Sequence, residues 1–72
     1  MTEKEHIILK AIRNKIKETR TKQGLSIRAL AAKADIDPTL LHEYEIGIRD
    51  TRSLNLIRIL VALDIDLSSL TD

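Results

Sequence analysis

The stretch Gly24–Gly47, reading GLSIRALAAKADIDPTLLHEYEIG, constrains the fold more than any other part of the chain. It opens and closes on the chain's two glycines and contains its one proline. Ser26 is a good N-cap, since its hydroxyl can accept from an unpaired amide of the first helical turn. Asp37-Pro38 starts a second helix, with Asp as cap and Pro at the first helical position, where the missing N–H loses nothing. Gly24 and Gly47 suit the left-handed conformation that ends a helix. Two short helices therefore meet across a three-residue turn, Asp35-Ile36-Asp37. Ala31 lies four residues before that turn and is small enough to admit a neighbouring helix. Ile36 is the turn's only apolar residue.

The flanking segments are also helical in pattern. Between Ile7 and Lys22, Ile8, Ile12 and Ile16 recur at intervals of four, one face of an amphipathic helix. The polar start, MTEKEH, reads as a flexible arm over residues 1–6, with one domain over 7–72. After Gly47, IRDTR is a polar connection. Ser53 or Thr51 then caps a fourth helix running to about Leu63. Asp64 breaks that pattern, and Ile65, Leu67 and Leu70 suggest a short last helix capped by Asp66. Strand-like alternation and repeats are absent, so the expectation is an all-α bundle of five helices.

Composition narrows the function classes. A chain of 72 residues is one domain that buries only about 60% of its unfolded surface, so a partner covering apolar surface would help its stability. With no cysteine there is no disulfide, which fits a reducing cytoplasm. The polar start does not read as a signal peptide, and no apolar run approaches the roughly 20 residues of a membrane span. One Tyr with no Trp or Phe makes stacking on single-stranded bases a poor mechanism. Catalysis lacks its parts: no cysteine nucleophile, no Gly-rich phosphate loop and two histidines, His6 and His42. The run His42-Glu43-Tyr44-Glu45 supplies one His, short of the three or four ligands a zinc site needs. No cofactor is implied. The net charge of +1 conceals an asymmetry: residues 1–34 carry nine Lys or Arg against three acids, and residues 35–72 carry three against eight. A basic half facing a polyanion and an acidic half facing away suits DNA.

Two helices around this turn have the spacing of a helix-turn-helix, whose second helix can lie in a DNA major groove. The register extends over about residues 8–70: Arg20, Gly24, Leu25, Ser26, Leu30, Ala31, Ile36, Leu41, Tyr44, Glu45, Gly47 and Ala62-Leu63-Asp64-Ile65. On these residues the chain resembles the Cro and phage-repressor-like family of helix-turn-helix proteins, also called the XRE family. The resemblance implies a five-helix, lambda-repressor-like DNA-binding domain with the motif at helices two and three. It implies a sequence-specific transcriptional regulator, in the first instance a repressor, that binds double-stranded DNA as a homodimer in a bacterial or phage-infected cytoplasm. It also implies a partly buried structural ion pair between Arg20 and Glu45. Four positions depart from the pattern: Ile27 stands where Gln is common, Ala29 where the capping box has an acid, Asp35 where the turn has Gly, and Thr19 where Leu is usual.

By the same resemblance, Pro38, Thr39, His42, Glu43 and Ile46 form the stripe of the recognition helix that faces bases. Thr39, His42 and Glu43 can hydrogen-bond base edges, while no Arg, Asn or Gln stands on the stripe. Phosphate contacts would come from Ser26, Ile27 and Arg28 at the start of helix two, and from Arg49 and Arg52 beyond helix three, where family members hold the backbone or reach bases. For Ile27, only the backbone N–H could serve. Lys15 and Lys17 are weaker candidates. Leu56, Ile59, Leu67 and Leu70 are candidates for the dimer surface, or else simply close the monomer core. Two other readings stand beside the regulator: an antitoxin that binds both operator DNA and a toxin, and a helix-turn-helix used only for protein contacts, which Glu43, Pro38 and Ile27 make credible.

Overall fold

A computed structural model describes residues 1–66 and 68 and shows four helices among them. They are α1 (Glu3–Lys22), α2 (Ile27–Ala34), α3 (Pro38–Ile46) and α4 (Ser53–Ala62). The expected all-α class holds among the described residues, but the described helices number four. Leu67 and Leu70, expected on a fifth helix, lie outside the described residues.

Helix α1 begins at Glu3, within the segment expected to be an arm. Thr2 caps the helix: its hydroxyl accepts from the Glu5 amide at 3.1 Å, and the Glu5 carboxylate accepts from the Thr2 amide at 3.4 Å. This reciprocal capping box satisfies two amides that would otherwise lack partners and carries the helix back to Glu3. The cap of α4 is a correction. Arg52 occupies the N-cap position and makes no side-chain cap bond, so neither Thr51 nor Ser53 serves. The caps of α2 and α3 are Ser26, bonded to the Ala29 amide at 3.0 Å, and Asp37, bonded to the Thr39 amide at 2.7 Å.

All four helices end in the same way. A residue with positive φ follows each one: Gly24, Asp35, Gly47 and Asp64. The next residue then returns its amide to a carbonyl five positions back: Leu25 to Arg20, Ile36 to Ala31, Ile48 to Glu43, and Ile65 to Leu60. This is the Schellman turn, which usually seats an apolar residue against its own helix. Leu25, Ile36 and Ile65 do pack against the core. Ile48 does not, being 69% exposed.

The core centres on Ile16 of α1, Leu30 of α2, Leu41 of α3, and Ile59 and Leu63 of α4 and its end, all fully buried. Each such side chain contributes about 1.5–3 kcal/mol of transfer free energy. Ala31 and Ala34 are buried too, and their small size brings α2 against both α3 and α4. Gln23 Nε2 donates to the Leu63 carbonyl at 2.7 Å, tying the end of α1 to the end of α4.

The expected face of α1 is only partly right. Ile16 is buried and Ile12 half-buried, but Ile8 is exposed. Each step of four residues overshoots a full turn by about 40°, so two steps carry Ile8 off the packed face. That face follows Arg13, Ile16 and Arg20 at i, i+3 and i+7.

Candidate nucleic-acid interface

The two faces of α3 differ in chemistry. Inward, Leu41, Tyr44 and Glu45 are buried. Outward, Pro38, Thr39, His42 and Ile46 are exposed, and Glu43 is partly so. The five residues expected to face bases thus share the side of α3 that leaves the core.

The inward face is held by two arginines from α1. Arg20 grips Glu45 with a fork: Nε donates to Oε2 at 2.8 Å and Nη2 to Oε1 at 2.9 Å. Its remaining nitrogen, Nη1, donates to the Leu25 carbonyl at 2.8 Å. Bidentate pairing satisfies both carboxylate oxygens, which the burial of Glu45 requires. The guanidinium pKa is raised above its ordinary value, first by the hydrogen bond to Glu45, with burial opposing and the Glu45 charge adding. Sequence reasoning missed the second arginine. Arg13 lies over the Tyr44 ring, 5.5 Å from its centroid, and its Nη2 stands 3.8 Å from Asp50. Its Nε is buried without a hydrogen-bond partner. The i, i+3, i+7 relation to Ile16 and Arg20 was the signal that could have found it. Burial raises the Tyr44 phenol above its usual value; the Arg13 charge opposes this, while Asp50 and Glu45 add to it.

The expected phosphate contacts fall in two places. At the start of α2, Ser26 and Arg28 are exposed, whereas Ile27 is half-buried against the core. The Ser26 hydroxyl is occupied by the Ala29 amide, which leaves the first-turn amides of Ile27 and Arg28 as open donors. Beyond α3, Arg52 is exposed and its side chain makes no hydrogen bond among the described residues. Arg49 is different. Its Nε lies 3.3 Å from Glu43 Oε2, joining a residue expected at phosphate to one expected at bases. The Schellman turn at Gly47 makes this possible by doubling the chain back along α3.

Two of the four dimer candidates can be placed. Ile59 is 1% exposed and belongs to the chain's own core, so it is withdrawn from any dimer surface. Leu56 packs against that core as well. The apolar residues that α4 does expose are Leu54, Ile57 and Val61, at i, i+3 and i+7 on one face. Among the described residues, no cluster of His, Asp or Glu could hold a metal ion, and no helix is long and apolar enough to cross a membrane.

A helix-turn-helix family model, of the Cro and phage-repressor (XRE) type, matches residues 16–70, well over half the chain. The chain belongs to this family, whose members are DNA-binding transcription regulators and are typically not enzymes. No curated protein and no solved structure gives a significant match.

Proposed function

We propose that the protein is a sequence-specific repressor that binds operator DNA as a homodimer, with α3 in the major groove and the start of α2 on the phosphate backbone. The observation that carries this reading is the outward stripe of α3. Thr39, His42 and Ile46 are free of the core, while Leu41, Tyr44 and Glu45 anchor the opposite face. Arg28 and the open amides of α2 supply positive charge beside it, and Arg52 supplies more beyond it. One module reads too few base pairs for an operator; two related by a two-fold axis read half-sites about one helical turn apart. The pairing surface in this proposal is Leu54, Ile57 and Val61 rather than Leu56 and Ile59. Ile57 and Val61 border a groove of about 410 Å³ between α2 and α4 that is also lined by Lys33, Ala34, Arg58 and Ala62.

The test is a salt titration of binding to duplex DNA by fluorescence anisotropy, with wild type and Arg28→Ala. Binding that weakens steeply with salt, with a slope smaller by about one in the variant, is the expected result. Absence of binding at about 50 mM salt and micromolar protein would sink the reading. The exposed stripe on α4 also favours a second reading, in which the same surface binds a toxin and the protein is an antitoxin. Sedimentation separates the two: a dimer made monomeric by Val61→Glu supports self-association, and a monomeric wild type favours the antitoxin.

A further inference from the structure

Resting on the DNA-binding reading, we propose that Arg49 is the guanine reader of this recognition surface and that Glu43 is the residue that positions it. The outward stripe of α3 has no Arg, Asn or Gln, the side chains that most often read a base with two hydrogen bonds. Arg49 fills that place from the next turn of chain. The Ile48 amide returns to the Glu43 carbonyl at 3.1 Å, so backbone bonding places the residue before Arg49 beside Glu43. The side chains then close the arrangement, with Arg49 Nε against Glu43 Oε2 at 3.3 Å. That contact uses Nε alone. Nη1 and Nη2 make no other hydrogen bond among the described residues, and two parallel donors match the O6 and N7 acceptors of guanine.

Three observations separate this role from a phosphate clamp. Glu43 stands within ion-pairing distance of the guanidinium and repels phosphate, whereas the acceptor edge of guanine is uncharged. The Glu43 side chain is 23% exposed against 52% for Arg49, so the carboxylate sits behind and the guanidinium in front. Finally, Ile46 and Ile48, on either side of the Gly47 turn, are both exposed. Ile48 is the one Schellman residue of the four that does not pack against the core. Exposed aliphatic groups beside Arg49 suit contact with thymine methyls and shedding of water around a polar base contact. Of the other arginines, Arg13 and Arg20 are spent on Tyr44 and Glu45, Arg58 Nη1 lies 3.5 Å from the Asp35 carbonyl, and Arg28 belongs to the start of α2. Arg52 is exposed at the N-cap of α4 but, among the described residues, has no carboxylate beside it to turn it from phosphate.

The experiment is selection of preferred duplexes from a randomised library, followed by salt titration on the selected site. It is run on wild type, Arg49→Ala, Arg49→Lys and Glu43→Gln. Wild type should enrich a guanine at one position of each half-site. Arg49→Ala and Arg49→Lys should both lose about tenfold or more of discrimination at that position and leave the rest of the motif intact. The lysine variant should keep the wild-type salt slope, because it retains the charge without the planar fork. Glu43→Gln should lower the ratio of affinities between guanine and non-guanine duplexes relative to wild type. The proposal is overturned if Arg49→Ala lowers affinity equally for all sequences and Arg49→Lys restores it, which is phosphate behaviour. It is also overturned if Glu43→Gln leaves the guanine preference intact, or if no variant changes the motif. A wild type that binds no duplex at all would instead remove the DNA-binding reading on which the inference rests.

Discussion

Glu43 and Glu45 stand two residues apart on one helix and each meets an arginine, yet the two pairs do different things. Glu45 is 7% exposed and receives a two-pronged grip from Arg20 on α1. Glu43 faces outward and meets Arg49 through a single longer contact. The difference comes from the helical period: two residues turn a side chain by about 200°, so one carboxylate enters the protein and the other leaves it. Low dielectric and lost hydration make the inner pair a fixed joint between α1 and α3. Water makes the outer pair cheap to break, which leaves it available to a ligand.

The largest expected effect lies on the inner side. Glu45→Ala leaves the Arg20 guanidinium without its partner and should cost about 3 kcal/mol in urea unfolding, a large part of the stability of so small a domain. An unchanged urea midpoint would show that the pair does not join the helices. Arg13→Ala removes the cation over the Tyr44 ring and should cost about 1 kcal/mol, lowering the melting temperature by about 4–8 °C. Loss of less than 1 °C would place Arg13 with the solvated side chains.

Tyr44 gives the inner face a pH signature. Its folded pKa lies above the ordinary value of 10.0, so above that pH the unfolded chain loses the phenolic proton first and binds fewer protons than the native state. Its contribution is complete below about pH 10 and is lost as pH rises towards the folded pKa. Tyr44→Phe should therefore flatten the fall in stability above pH 10 relative to wild type, as read by urea unfolding at a series of pH values. Parallel curves for the two proteins would refute the assignment. The smallest effect belongs to the outer face: Glu43→Ala should change stability by no more than about 0.5 kcal/mol. A loss above about 1 kcal/mol there would erase the distinction between the two glutamates.

Several of these features were legible from the residues. Asp37-Pro38 and Gly47 bound α3, and Asp35 adopts the left-handed turn that its short polar side chain tolerates. Capping and turn signals are local and act through the nearest few residues, so a linear reading can find them. The same logic missed Thr2 and Glu5, whose capping box sits in a polar segment with no apolar period to draw attention to it. Arg13 was missed because a charged residue on a packed face looks like a solvated one until its ring partner is known. Ile59 was left between dimer surface and monomer core because α4 is apolar on more than one side, and its sequence does not say which side the rest of the chain covers; the structure puts it in the core.

The amino-acid sequence by itself determined the bihelical unit, its caps and turn, the family to which the chain belongs, and the register that brings Arg20 to Glu45. The caps and turn follow from short-range hydrogen bonding, the family from the spacing of its matched residues, and the Arg20–Glu45 pair from the resemblance to that family. Tertiary structure alone decided which apolar residues of α1 and α4 are covered, that Arg13 lies over Tyr44, and that Arg49 returns to Glu43 instead of extending into solvent. Those outcomes depend on which surfaces meet in three dimensions, where burial and distance assign different work to side chains that are chemically the same.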